Sequence, residues 1–410
     1  MIITRRMAAT GLAATLLTAC TGGAPQSPAP ARMRAVPNPG FDAWVEGFRA
    51  RAAARGIDPQ VLARAFRGAG YLPDVIDRDR NQTEFTRSLE DYIAIAASDD
   101  RVATGRSMLT RHRALLARIE AQYGVESRVV LAIWGLESRY GARRGDVPVI
   151  SALSTLAYDG RRGAFFESQL IAALKIVQNG DIPPERMTGS WAGAMGHTQF
   201  IPTSYLAHAV DFTGDGRRDI WSDDPADALA SAAAYLSRSG WRRGQPWGLE
   251  VALPQGFDMG LTGRGTSRSV GQWAALGVRP AAGGALPDHG PASVLAPAGP
   301  GAPAFLVFRN FGVILRYNNA EKYGIGVGHL SDRIAGGPPL FGRFGPDATG
   351  LTLEDRKHLQ ASLTRAGFDT QGTDGVIGDN TRAAITAYQR ARGLPATGQP
   401  SRALLARLRG

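Results

Sequence analysis

The segment 129–141, VVLAIWGLESRYG, places one carboxylate, that of Glu137, on an otherwise apolar helical face. Apolar side chains precede it at three, four, seven and eight residues, the helical spacing: Trp134, Ile133, Val130 and Val129. The pattern predicts a buried helix stopped by Gly141, with Glu137 in its last turn. Burial is expected to raise the pKa of Glu137, as a general acid near neutral pH requires. The alternative is a structural glutamate satisfied by a backbone amide or by Arg139.

Length and charge limit the class of protein. With 410 residues the chain has room for two or three domains, and its net charge of +11 comes almost wholly from arginine. A basic protein favours polyanions. Because the sequence has neither a zinc knuckle nor a stripe of arginines and aromatic residues, we predict no nucleic-acid partner. No apolar run after the N-terminus is long enough to span a bilayer, so we expect a water-soluble mature chain. We also expect it to be monomeric.

The N-terminus predicts export and lipidation. Residues 1–20 have the charge and apolar run of a secretory signal, and they end in Leu-Thr-Ala-Cys, which resembles a lipobox. In such signals cleavage precedes the cysteine, here Cys20, which receives the lipid. Residues 21–40, rich in Ala, Pro and Gly, are expected to form a flexible tether. We therefore predict a periplasmic protein anchored to the inner face of the outer membrane; the alternative is an ordinary signal peptide with a chance cysteine.

Residues 41–342 are predicted to form one mainly helical body with small β elements. Asp58 and Pro59 have the types expected at a helix start, and Ser127 is the expected cap of the Glu137 helix. Residues 281–303 are expected to be irregular. The runs 304–308 and 312–315 are predicted as short strands.

A glycine-rich segment, GSWAGAMGHTQF at 189–200, follows about fifty residues after Glu137. Small residues let a backbone approach a ligand closely, and Ser190 and Gln199 have the side chains to donate hydrogen bonds to it. Alone, such a segment is as often a tight packing loop. Its combination with Glu137 favours a binding site.

Three ordered motifs resemble the B-type family of membrane-bound lytic murein transglycosylases: WGLESRYG at 134–141, GSWAGAMGHTQFIPTSY at 189–205 and YNNAEKY at 317–323. The resemblance implies a lysozyme-like helical catalytic core of the α+β class with Glu137 as its acid and base. It also implies that Ser190, Gln199 and Phe200 face the sugars, and that Tyr235, Tyr317, Asn318 and Tyr323 line the cleft. Arg161 and Arg162 match an arginine pair there. His197 stands where the family often has an aromatic residue, and we expect a core or solvent-lining histidine without a catalytic role.

The loop 211–219 has EF-hand-like spacing, with oxygen-bearing side chains at positions one, three, five and nine and a glycine at six. Position twelve is Ser222 in place of a glutamate, and the resembling family closes its loop later, at a residue matching Asp227. The predicted ligands of a structural calcium are Asp211, Thr213, Asp215, Arg217 and Asp227. The alternative is a polar Asp-Gly turn. No catalytic cofactor is expected.

The C-terminal residues 353–409 resemble the small three-helix peptidoglycan-binding domain, after a Gly/Pro-rich linker at 343–352. With the body, this module predicts peptidoglycan glycan strands as the partner. The alternative is a three-helix satellite that binds something else.

The resemblance implies non-hydrolytic cleavage of the MurNAc–GlcNAc bond. Glu137 protonates the leaving oxygen and then takes a proton from the C6 hydroxyl, which closes on C1 to give a 1,6-anhydro end. Two readings compete with this one. In the first, a lysozyme-like hydrolase uses Asp159 or Glu167 to activate water; in the second, the chain is a non-catalytic wall-binding lipoprotein.

Overall fold

The computed structural model describes residues 33–81 and 87–409, and the predicted signal peptide and Cys20 lie outside them. The described chain is mainly helical, with an N-terminal series of helices, a small sheet and three closing helices. The helices are α1 (Pro39–Ala54), α2 (Pro59–Phe66), α3 (Pro73–Arg80), α4 (Leu89–Ala96), α5 (Asp99–Arg111), α6 (Arg113–Tyr123), α7 (Ser127–Ser138), α8 (Val149–Asp159), α9 (Gly163–Gln178), α10 (Pro202–His208), α11 (Ala226–Arg238), α12 (Val270–Ala275), α13 (Arg309–Tyr317), α14 (Glu321–Ile334), α15 (Leu353–Arg365), α16 (Asp379–Ala391) and α17 (Arg402–Arg409). This confirms the predicted class.

The strands form two antiparallel sheets. They are β1 (Val147–Pro148), β2 (Thr188–Gly189), β3 (Gly248–Ala252), β4 (Arg279–Pro280), β5 (Ser293–Leu295) and β6 (Ala304–Val307). The first sheet pairs β1 with β2, and the second has the order β4-β3-β6-β5. The strand predicted at 304–308 is thus confirmed as β6. The strand predicted at 312–315 is wrong, because those residues lie within α13 and bury Val313, Ile314 and Leu315 as part of a helix.

Among the described residues, two hydrophobic cores join the helices of the body, and a third lies at the larger sheet and α12. One joins α4–α7 to α11, α13 and α14, and the other joins α1–α3 to α8–α10. Tyr235 of α11 and Tyr317 of α13 pack against both cores. Two of the four residues predicted to line a cleft therefore lie where these two cores meet, while Tyr323 belongs to the first core alone.

Helix α7 is buried along almost its whole length, as its apolar pattern predicts. Val129, Val130, Ile133 and Trp134 are all at most 4% exposed, while Glu137 is partly exposed. The predicted caps differ in detail. Glu126 occupies the N-cap and Ser127 lies inside the helix, where its hydroxyl donates to Glu120 Oε2. The helix ends before Gly141, at the left-handed Arg139.

Both ends of the body carry structure that the sequence assigned to connectors. Val36 pairs with Tyr71 and α1 begins at Pro39, so the folded body starts before residue 41. Within the predicted linker, Leu351 is fully buried in the core of the C-terminal module. No helix among the described residues is long and apolar enough to cross a membrane.

The C-terminal module, helices α15–α17, docks on the body through one buried arginine. The Arg356 side chain is 3% exposed and donates to Glu90 Oε2 at 2.6 Å and Asp91 Oδ1 at 2.9 Å, both on α4. It also pairs with Asp347 at 2.9 Å and donates to the carbonyl of Gly375. Because a buried guanidinium is costly without partners, this network holds the module against α4.

Candidate active site

Glu137 is held by Tyr323, which lies on a different helix. The phenol of Tyr323, on α14, donates a hydrogen bond of 2.6 Å to Glu137 Oε1, on α7. Burial, and then the negative charge of Glu137, raise the pKa of Tyr323 well above its ordinary value. Tyr323 therefore remains a protonated donor at any physiological pH and fixes the position of one carboxyl oxygen.

Aromatic side chains continue from Tyr323 as a connected wall. The Tyr323 and Tyr317 rings stack at 6.4 Å between centroids, Tyr317 lies 4.9 Å from Tyr235, and Phe200 lies 5.9 Å from Tyr235 and 5.7 Å from Tyr317. The Tyr317 and Tyr235 hydroxyls donate to the carbonyls of Thr198 and Arg316, each at 2.5 Å. These two hydrogen bonds fix the orientations of both rings.

The segment 189–200 is a tight loop that ends in Phe200, which was predicted to face the sugars but is 2% exposed and packs within the aromatic wall. Met195 and Phe200 exchange backbone hydrogen bonds, and the Ser190 hydroxyl accepts from the backbone amides of Ala192 and Ala194. Gln199 has φ +51°, and its side-chain amide nitrogen donates to the carbonyls of Arg144 and Gly196.

The loop also packs closely on its neighbours. A Cβ on Gly196 would lie 2.2 Å from the Ile220 carbonyl oxygen. This glycine therefore serves close packing, while Phe200 and Tyr317 join the loop to the wall.

His197 connects the loop to the catalytic helix. The Trp134 indole donates to His197 Nδ1 at 3.0 Å, His197 Nε2 lies 2.7 Å from the Ser222 carbonyl, and the Ser138 hydroxyl donates to the His197 carbonyl at 2.6 Å. Burial lowers the pKa of His197, and a neutral ring fits an acceptor at Nδ1. His197 is 3% exposed, so of the two environments predicted for it the structure shows the core one.

Arg144 is a site-building residue that the sequence analysis missed. Its guanidinium donates to the carbonyls of Trp221 and Ser222 and pairs with Asp223 at 2.7 Å, while its own carbonyl accepts from Gln199. Arg144 therefore connects the segment after α7 to the loop 189–200 and to residues 221–223. No spacing signal distinguished it from the neighbouring arginine.

The predicted arginine pair has other partners. Arg161 contacts Asp79 of α3, with its Nη2 2.5 Å from Asp79 Oδ1, and Arg162 lies over the rings of Phe165 and Phe166. Among the contacts of the described residues, none joins Arg161 or Arg162 to the aromatic wall.

Asn318 follows Tyr317 at the end of α13. It is exposed, and its side chain accepts a hydrogen bond from the amide of Ala320.

The two acids of the hydrolase alternative are engaged in ion pairs. Asp159 lies 2.7 Å from Arg80, and Glu167 lies 3.0 Å from Arg51 and 3.6 Å from Arg55. Each of these carboxylates is thus already paired with at least one arginine. These contacts favour Glu137 as the reacting acid.

The predicted calcium loop brings three carboxylates together. One oxygen each from Asp211, Asp215 and Asp227 lie within 4.8 Å of one another. Asp227 is 2% exposed and accepts from the amides of Phe212, Thr213 and Asp219. Burial raises the pKa of Asp227, although these amide hydrogen bonds oppose the change.

The remaining predicted ligands lie in the same turn. The Thr213 hydroxyl donates to Asp211 Oδ1 at 3.3 Å, and the Arg217 amide donates to Asp215 Oδ1. Asp219, at position nine of the EF-hand-like spacing, is not one of the predicted ligands, and its carboxylate accepts from the amides of Trp221 and Ser222. Converging carboxylates repel one another, and oxygen donors are the ligands calcium prefers, so the residues fit that ion.

The chain matches two known families. Residues 40–332 match the Transglycosylase SLT domain family, and residues 352–408 match the putative peptidoglycan binding domain family. The first match spans Glu137, the aromatic wall and the 189–200 loop. The second corresponds to α15–α17.

Named relatives agree with these matches. Membrane-bound lytic murein transglycosylase B of Escherichia coli is 34% identical over 58% of this chain, and the match spans 64% of that relative. The structure of SltB3 from Pseudomonas aeruginosa in complex with NAG-NAM-pentapeptide is 48% identical, with a TM-score of 0.74 over 90% of this chain and all of that one.

A third relative bears on the calcium loop. The Escherichia coli lytic transglycosylase SLT35, solved in complex with calcium, is 30% identical, with a TM-score of 0.62 over 73% of this chain and 93% of that one. The family match covers most of the body, and the aligned structures share its helical core. The chain therefore belongs to the Transglycosylase SLT domain family and carries a C-terminal domain of the peptidoglycan-binding family.

Proposed function

We propose that this protein is a peptidoglycan lytic transglycosylase that cleaves the MurNAc–GlcNAc bond without water and leaves 1,6-anhydro-MurNAc ends. The observation that carries the proposal is the Glu137–Tyr323 hydrogen bond at the end of an aromatic wall. Glu137 protonates the leaving glycosidic oxygen. As a carboxylate it then removes the proton of the C6 hydroxyl, which attacks C1.

A second catalytic carboxylate is unnecessary in this reaction. A positioned intramolecular hydroxyl reaches an effective molarity of ~10⁵ M or more, well above the concentration of water. The partly exposed Tyr235 and Tyr317 would pack against the sugars, and the buried Tyr323 would help to exclude water. Asp159 and Glu167, which the hydrolase alternative requires, are paired with arginines.

The relatives support the same substrate class. SltB3 has been solved in complex with NAG-NAM-pentapeptide and with NAG-anhNAM-pentapeptide, and this chain is 48% identical to it over nine-tenths of its length. The C-terminal module would hold the enzyme on peptidoglycan. Mass spectrometry of glycan ends released from purified sacculi tests the proposal: anhydro ends support it, reducing MurNAc ends favour a hydrolase, and no release favours a binding scaffold.

We also propose lipid attachment at Cys20, which would place the enzyme in the periplasm on the inner face of the outer membrane. The lipobox-like residues 17–20 and the membrane-bound relative support this. The Cys20→Ala protein should move to the soluble periplasmic fraction. Recovery of the parent protein there, unacylated, would overturn the assignment.

A structural calcium in the loop 211–227 is the last part of the proposal. Asp211, Asp215 and Asp227 converge, Thr213 and the Arg217 carbonyl complete the predicted oxygen set, and SLT35 has been solved with calcium. The ion would hold the loop that precedes α11, the helix of Tyr235. It takes no part in bond cleavage.

A further inference from the structure

A pocket of about 270 Å³ lies between α5 and the segment that follows α7. Three arginines contribute to its lining, Arg101 from α5 and Arg139 and Arg143 from the segment, together with Thr104, Tyr140 and the one acid Asp100. The charge of the lining is therefore strongly positive. None of these residues belongs to the aromatic wall.

Arg101 is the buried member of the three. It is 8% exposed, and its Nε lies in the interior without a hydrogen-bond partner. Within the described ranges 33–81 and 87–409, no acid forms an ion pair with it. A guanidinium buried in this way is costly unless something negative satisfies it.

The surrounding charges increase that cost. Burial lowers the pKa of Arg101, and the positive charges of Arg139 and Arg143 lower it further, although Tyr140 and Tyr92 oppose the change. Asp100 does not offset them, because its side chain is 80% exposed and lies 3.6 Å from Arg139. Three arginines thus line one small cavity whose single carboxylate is largely exposed and already paired with Arg139.

The pocket has a rigid frame. The Tyr140 hydroxyl donates to the Arg101 carbonyl at 2.9 Å, and the Arg143 amide donates to the Ser138 carbonyl at 2.8 Å. Arg139 and Tyr140 both have positive φ, +49° and +56°, which turns the chain sharply after α7. The two flanking arginines are therefore fixed to the end of the helix that carries Glu137.

We propose that this pocket binds an oxyanion, a carboxylate or a phosphate, through Arg101, Arg139 and Arg143. Planar guanidinium groups match both anions with paired, charge-assisted hydrogen bonds. The volume suits one such group with a short extension. The inference does not depend on the glycosidic reaction and would stand for an inactive chain.

Two sources offer this chemistry, and calorimetric titration distinguishes them. Inorganic phosphate is one probe, and a synthetic stem tetrapeptide with a free C-terminal carboxylate is the other, with its C-terminal amide as reference. Saturable binding of the acid form above the amide identifies a substrate stem as the source. Binding of phosphate alone identifies a phosphate source. Absence of saturable binding by both probes at fixed ionic strength would overturn the proposal.

Variants locate the binding. Arg143→Gln changes an exposed side chain and should fold normally, and it should weaken binding about tenfold because a charge-assisted contact is lost. Arg101→Gln should weaken it at least as much. Arg111→Gln, at the exposed end of the same α5, removes an equal charge outside the pocket and should bind as wild type. Equal affinity of the Arg143→Gln and Arg111→Gln proteins would place the anion elsewhere and refute the assignment.

Discussion

Tyr323 Oη lies 2.6 Å from Glu137 Oε1, and this contact joins α14 to the last turn of α7. Tyr323→Phe removes one donor to the carboxyl but keeps the stacked ring. A hydrogen bond to a charged group contributes about 1.5–3 kcal/mol, so we expect kcat to fall at least about tenfold with little change in KM. Steady-state release of muropeptides from sacculi measures both constants.

Tyr71→Phe is the matched control, because the Tyr71 ring packs between Phe41 and Tyr158 in the other core. It should retain wild-type kcat. An unchanged kcat in Tyr323→Phe as well would show that the Tyr323 hydroxyl does not position the acid.

Acid should destabilise the protein through His329. Burial lowers the pKa of His329 to about 4, below the ordinary 6.5, so the unfolded chain takes up the proton first as pH falls. His329 therefore leaves the free energy of unfolding unchanged above pH 6.5 and lowers it by up to about 3 kcal/mol as pH falls to about 4. Denaturant unfolding of wild type and His329→Gln across this range should show the variant losing less.

The buried His197 acts in the same direction, since burial lowers its pKa too. Exposed His358 is the control, and His358→Gln should follow the wild-type pH curve. If His329→Gln also followed that curve, His329 would not be the titrating group.

Calcium should stabilise the wild type through its acidic loop. A ligand that binds only the folded state contributes about 2.7 kcal/mol at a hundredfold excess over Kd. The wild type should therefore melt at a higher temperature with millimolar calcium than with chelator, and Asp215→Ala should lose that difference. Asp258→Ala, which alters an exposed turn elsewhere, should keep it. Absence of a calcium effect in the wild type would leave the loop as an Asp-Gly turn.

The docking of the C-terminal module should depend on α4. In the double variant Glu90→Gln/Asp91→Asn, Arg356 loses both charged partners on the body but keeps Asp347 and Gly375. Breaking a buried ion pair costs about 3–5 kcal/mol, so the module should detach more often and proteases should cut residues 343–352 faster. Glu354→Gln, which removes only an exposed pair with Lys357, should be cut at the wild-type rate. Equal cutting of the double variant would mean that other contacts hold the module.

The sequence predicts those parts of the site that depend on helical periodicity. The apolar spacing before Glu137 is a local property, and α7 is buried as that spacing requires. The segment 312–315 was misread as a strand because a run of four residues has too little length to reveal its period. The helical spacing becomes visible only when Phe311, four residues before Leu315, is included. Both side chains are buried in the first core, which α14 shares.

The long-range contacts had no local signal. What sets Arg144 apart from Arg143 at the site is its contact with Asp223 and the Trp221 carbonyl, about eighty residues later in the chain. The docking of Arg356 on Glu90 spans an even larger separation. Such pairings are set by how the helices pack, which one sequence does not encode in any short window.

Glu137→Gln tests the central assignment most directly. Glutamine keeps the shape of the side chain but cannot transfer a proton, and general acid–base assistance is typically worth ~10²–10⁴-fold. We expect a folded variant that still binds sacculi through α15–α17 but releases anhydro-muropeptides at least about a thousandfold more slowly. Glu167→Gln, in the arginine-paired acid of the hydrolase alternative, should retain wild-type release. If Glu137→Gln kept more than about a tenth of wild-type turnover, less than ~1.4 kcal/mol of barrier would depend on it, and Glu137 would not be the catalytic acid.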